Sequence, residues 1–537
     1  MQAAHTTPRG ACVVAPARFP ARQRAPKIYV GAVPLNSRPC SPVFRGPPWH
    51  KPSQRSRPLR ASAGNAGEDQ RPLLQQMLAV APLCLCGPII EPAMALIESL
   101  ILGQFAPAAD LASVAPCTGI LSFFTYGFQS IQVTALARLG VDLANGDMDA
   151  AQTTFSTVVA AALACGAVIA LGLNVAGKQV LSGMISSPEV VTLAMTYLGT
   201  RALAQPATLA NMVCLAALLA ERQTKPVLVC TVALLTLATA LMYVTVGVAG
   251  LGVRGAGIST ALSQWALLGM FVVAMRLYAK KEGGLSPTLR FATLERFRTL
   301  AGSLGFLSGG YILKNGTYLV IHAFASALPA LHLAAHQAVF AAWNFCAFCN
   351  GPVEQMALAF WPRAAAHARA TARAGEVGGD RELQDIAVIT GVAAVLVSNA
   401  LAAGIAVVMT SAPASLTSNA AMWPLIQSCA LFAFGSLAFA GIELPATAAM
   451  LADGHGAQYM TMHALVLAGV IGTLAAGANL GWGLQGIWAA VMAFYFFRAV
   501  ISIALLLGRR SPHWLLVLLE RRGARRRLGS GGDAARL

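Results

Sequence analysis

The chain has 537 residues, of which 56% are hydrophobic and 11% charged, and its mean hydropathy is positive, so it carries too little charge to cover a soluble surface. A net charge of +17 would suit nucleic acid. However, Lys and Arg lie mainly in the two tails and one set of loops, which excludes a nucleic-acid partner and leaves a lipid bilayer. Eleven cysteines, most of them inside apolar runs, form no extracellular disulfide pattern.

From Met1 to Gly67 the chain carries eleven Lys/Arg and no acid, with many Ala, Pro and Ser. That is the composition of an organelle transit peptide, and the prolines favour a plastid over a mitochondrion. Pro58 to Ala63 forms a plausible cleavage region. The alternative is a disordered basic tail kept in the mature protein.

Apolar segments then recur at helix length over 74–104, 111–138, 151–174, 190–220, 226–249, 255–278, 299–325, 332–360, 383–410, 422–451, 458–480 and 484–508. Twelve spans put both tails and the even-to-odd loops on one side. Arg138, Lys225, Lys280, Lys281 and Arg381 stand there, against only Lys178 and Arg254 opposite, as the positive-inside rule requires. In a plastid the basic side would face the stroma.

The chain also repeats. Leu78-Ala79 with Leu111-Ala112 returns as Leu300-Ala301 with Leu333-Ala334, and Gly252-x-x-Gly255 returns as Gly483-x-x-Gly486. Six helices followed by six similar ones predict an all-α integral membrane protein of two pseudo-symmetric six-helix lobes, related by an axis along the membrane normal. The expected division is a leader at 1–67, an N-lobe at 72–278, a basic inter-lobe loop at 279–298, a C-lobe at 299–508 and a basic tail at 509–537.

Two acids, Glu91 and Glu98, interrupt the first apolar run, seven residues apart and therefore on one helical face. Pro92 lies between them, where it can bend the helix and free a carbonyl. A carboxylate inside a membrane span is costly unless neutral, paired or facing water, which marks a functional site. This stretch points to transport, with protonation of Glu98 biasing a bend at Pro92.

The pattern Pro92-x5-Glu98-x4-Gly103 followed by Leu111-Ala-Ser-Val resembles the first-helix signature of MATE (multidrug and toxic compound extrusion) transporters. Tyr197-Leu-x2-Arg201 with Pro206, Gly252-x2-Gly-Ala256 through Ser263-Gln264, and Ala334-Ala-His-Gln337 are similar family marks. The resemblance covers about residues 72–508, and the leader looks most like plant plastid-envelope members, a group including a salicylate exporter. It implies two six-helix lobes opening alternately to each side, export of a small organic solute, and coupling to a proton or sodium ion. No cofactor and no enzymatic activity are implied, and a monomer is expected. Glu98 occupies the position of the family's first-helix Asp, one methylene longer. Asn211 and Gln129 are further oxygen donors for sodium, although a proton is the favoured ion.

In the C-lobe, Lys314-Asn315 stands where a bacterial subgroup places a Glu. Lys314 is expected to pair with Glu354 or Glu443, to attract an anionic substrate, or simply to snorkel. Glu443, beside Pro445, is the repeat counterpart of the Asn211 region; its other reading is a hydrogen bond at a proline break. Cys346-x-x-Cys349 reads as packing, His336 as a helix-end or packing residue, and His322 as a lone imidazole without an assignable partner. Sodium-coupled export, a lipid-linked-substrate flippase and a transport-inactive scaffold are the alternatives. An intramembrane enzyme would need paired aspartate or His/Glu metal motifs, which are not found.

Overall fold

The computed structural model describes residues 72–507, apart from 87, 222, 290–292, 296–297, 299–304, 375–380 and 453. The leader, its cleavage region, Arg222 and the C-terminal tail lie outside the described residues. Every described element is helical.

The first lobe contains α1 (Leu73–Cys86), α2 (Ile90–Phe105), α3 (Ala108–Gly127), α4 (Gln129–Ala144), α5 (Met148–Met184), α6 (Pro188–Ala202), α7 (Gln205–Ala220), α8 (Thr224–Met242) and α9 (Gly252–Glu282). The second contains α10 (Gly305–Ser326), α11 (Ala330–Cys349), α12 (Gly351–Ala374), α13 (Arg381–Ser411), α14 (Trp423–Ser428), α15 (Ala430–Ala452), α16 (Gly456–Asn479) and α17 (Gly483–Leu507). Pairing helices across their breaks, α1–α2, α3–α4, α6–α7, α11–α12 and α14–α15, yields the twelve expected spans. By length and hydropathy alone, eight helices among the described residues qualify as spans. The pair α6–α7, bent by 46°, makes nine.

Several breaks have a visible cause. A proline ring clashes with the carbonyl four residues before it. Pro92 therefore stops the helix near Pro88, Pro206 stops α6 at Ala202, and Pro352, the second residue of α12, follows the stop at Cys349. Pro92 thus sits in the first turn of α2 rather than at a mid-helix kink, where its missing N–H costs nothing. This moves the expected bend upstream, to residues 88–89. The breaks at Phe128 and Cys429 carry no proline.

The lobes meet along α2, α3, α10 and α11. On the side away from the basic loops, the connection after α13 folds over the end of α2. There Ser418 N donates to Gly103 O at 3.0 Å, Thr417 Oγ1 donates to the same oxygen at 3.1 Å, and Gln104 Nε2 donates to Ala414 O at 2.9 Å. Two repeat-related turns carry the expected glycines. Gly250 and Gly252 have φ of 64° and 52°, and Gly481 and Gly483 have 68° and 53°.

Candidate functional site

Two polar clusters lie inside the spans, one in each lobe. In the first, the seven-residue spacing brings Glu91 and Glu98 to one cleft wall. Helix α6 contributes Tyr197 and Arg201, one turn apart, and Arg201 stands in its last turn. Arg201 Nη2 lies 3.2 Å from Glu91 Oε2, and the other Glu91 oxygen accepts from Gln264 Nε2 on α9. Gln264 Oε1 in turn accepts from Asn211 Nδ2 of α7 at 2.9 Å. Four helices are thereby tied through one carboxylate.

Glu98 is different. It is 4% exposed, its Oε1 has no hydrogen-bond partner, and the Tyr197 hydroxyl stands beside it. Arg201 Nη1 and Asn211 Oδ1 are also buried without partners. Glu98 and Arg201, though not Asn211, line a cleft of about 50 Å³, room for one or two waters, walled also by Thr118, Thr125 and Tyr126 of α3 and by Asn344 of the opposite lobe. Gln129 does not line this cleft; it is the first residue of α4, and its neighbour Gln132 donates to Met212 O.

In the second lobe Glu443 is tied to Arg498, with the two side chains 0% and 3% exposed, and also accepts from Thr447. The Arg498 guanidinium lies 5.1 Å from the Phe494 ring centroid and 5.6 Å from that of Tyr495. Tyr495 shares a 3.0 Å hydroxyl contact with Tyr318. Glu443 is therefore taken by an arginine rather than by Lys314. Lys314 feels the charges of Glu354, Glu443 and Arg498. Asn315 turns back on its own helix, its Nδ2 donating to Tyr311 O at 2.8 Å.

Sequence reasoning did not assign Arg498 a role and treated Arg201 only as a family mark. The available signal was a single arginine inside an otherwise apolar span, which requires a buried partner. His322 is also not alone, since its Nδ1 lies 3.4 Å from His336 Nε2. Cys346 and Cys349 are free thiols, and Cys346 borders an apolar groove between α2, α11 and α13.

Residues 84–244 match the MatE family model. That stretch is what the chain shares with the MATE family. Two *Arabidopsis thaliana* relatives extend the match. Protein DETOXIFICATION 47, chloroplastic, is 24% identical over 286 residues, covering 52% of this chain and half of the relative's length. Protein DETOXIFICATION 45, chloroplastic, is 23% identical over 480 residues, covering 83% and 81%. In fold, the eukaryotic MATE transporter AtDTX14 superposes with a TM-score of 0.64 at 14% identity, over 84% of this chain and 98% of that one. An inward-facing MATE transporter of the MOP superfamily superposes with 0.60 at 16% identity, over 83% and 99%. This chain therefore shares the fold of those transporters, and eight or nine of its described helices are long and apolar enough to cross a membrane. Its two six-helix lobes are those of the family fold, with the Glu98 cleft opening between them.

Proposed function

We propose that this chain is a proton-coupled antiporter that exports small organic solutes across the plastid envelope. The observation that carries this reading is Glu98: a buried carboxyl in the middle of α2, with an unpartnered oxygen on a cleft shared by both lobes. A proton arriving at that oxygen changes the cluster's charge by one without requiring any new ligand. The relatives' names, DETOXIFICATION, and their chloroplastic assignment support an organic solute and a plastid membrane.

The test is flux into proteoliposomes driven by a proton gradient, using an aromatic carboxylate and a cationic dye in parallel. Wild type is expected to require the gradient for one of them, and Glu98→Gln to abolish that flux in a folded protein. Unchanged flux in Glu98→Gln would move coupling to the second lobe, around Lys314 and Glu443. Flux driven by sodium and indifferent to protons would overturn the proton assignment.

A further inference from the structure

We propose that Arg201 is the specificity-determining residue of the coupling site: a built-in cation that admits a proton to Glu98 and excludes sodium. The proposal rests on the coupling role given to Glu98 above and goes beyond it by assigning the choice of ion to one side chain.

Membrane sodium sites draw on unwound backbone carbonyls and on the carbonyl ends of broken helices, where the dipole is negative. The break between α6 and α7, after Ala202, offers such an end. Arg201 stands in the last turn of that half-helix and puts its guanidinium on the cleft that Glu98 also lines. Its Nη2 holds Glu91 at 3.2 Å, while Nη1 is buried and free. Glu98, on the same cleft, sits within the continuous helix α2, so its own carbonyls are already bonded.

The remaining charged oxygens are few, since Thr118, Ser122, Thr125, Thr260 and Asn344 bring only neutral oxygens to the cleft. Glu91 is held on both sides, by Arg201 and Gln264, and Gln264 Oε1 is taken by Asn211. Glu98 Oε1 and Asn211 Oδ1 are the buried unpartnered oxygens of this chain of contacts. Two carboxylates and one fixed cation leave a single uncompensated charge, which a proton satisfies at one oxygen. A sodium ion would need several oxygens beside a guanidinium that repels it.

The test is radiosodium binding to purified full-length protein at alkaline pH, with potassium and choline as competitors. Wild type is expected to show no saturable binding. Arg201→Gln is expected to gain a saturable sodium site that potassium displaces at least tenfold less well, and to lose it when Glu98→Gln is added. Arg201→Lys, which keeps the cation, is expected to stay sodium-blind. The double variant Glu91→Gln with Arg201→Gln removes the ion pair together and leaves no orphaned charge; it too is expected to bind sodium. Saturable sodium binding by wild type would overturn the proposal, as would a folded double variant that binds none. Failure of the wild-type proton-driven flux would sink the antiport reading instead, and it is measured separately.

Discussion

Arg498 and Glu443 are joined in a part of the second lobe from which water is excluded, their side chains 3% and 0% exposed. The first lobe meets the repeat-equivalent need differently. There Asn211, 232 residues before Glu443, bonds Gln264 through neutral amides. The same helix contact is neutral in one lobe and charged in the other.

Removing one member of the charged pair strands the other. Arg498→Leu is therefore expected to destabilise the second lobe by about 3–5 kcal/mol. Replacing both, with Glu443→Leu added, should recover most of that loss, because a buried pair exchanged for apolar residues is often neutral or better. Thermal unfolding of the three variants in detergent checks this; equal stability of the single and double variants would contradict it.

Gly252 and Gly483 start corresponding helices with the same left-handed backbone, yet their surroundings differ. A Cβ at Gly252 would lie 2.1 Å from Asp110 Oδ2, which accepts the Val253 N–H at 3.0 Å, whereas nothing lies within 4 Å at Gly483. Each Gly→Ala change carries about 1–2 kcal/mol of backbone strain. Gly252→Ala also loses a charge-assisted hydrogen bond of about 1.5–3 kcal/mol. The first substitution should lower the unfolding midpoint about twice as far as the second.

Gly103 permits the closest approach between the lobes, since a Cβ there would meet Leu416 O at 2.4 Å. Gly103→Val is expected to part α2 from the 413–418 connection. Labelling of a cysteine placed at Leu416, which is buried, should then rise several-fold over its rate with Gly103 intact. An unchanged labelling rate would show that the contact is not what holds this side shut.

The connection Gly283–Leu289 is pinned to α5, where Gln152 Nε2 donates to Ser286 O at 2.7 Å, Ser286 N donates to Gln152 Oε1 at 2.8 Å and Ser156 Oγ donates to Thr288 O at 2.6 Å. Gln152→Ala should loosen it and speed tryptic cleavage at Lys280–Lys281 by several-fold. Ser182→Ala, whose hydroxyl bonds only within its own helix, serves as the control.

The twelve spans were readable because each is a long apolar run, and the repeat was readable because Gly252 and Gly483 must adopt φ values that favour glycine. Breaks near Pro92, Pro206 and Pro352 follow from proline sterics. Those at Phe128 and Cys429 have no local residue that dictates them, and Pro116 and Pro445 sit inside helices that continue. Polar pairing was the hardest part to read. Arg201 reaches Glu91 across 110 positions, and Arg498 reaches Glu443 across 55, distances at which no spacing rule operates. Glu443 was one of two acids offered as a partner for Lys314, but it is held by Arg498, since arginine presents a fork of donors suited to a carboxylate and a lysine does not.

Helix α2 is separated from α1 at its start and bonded through Gly103 at its far end, with Glu98 between. Such a rod behaves as a lever with one fixed fulcrum. Its 16 residues make it about 24 Å long, so a rocking of roughly 10° would carry its Glu91 end, with the contacts to Arg201 and Gln264, about 4 Å while the Gly103 end stays in place. Small changes at the carboxyl would then be read out as a much larger sweep at the far tip, near Glu91, and the arm that holds Arg201 would be the first to feel it.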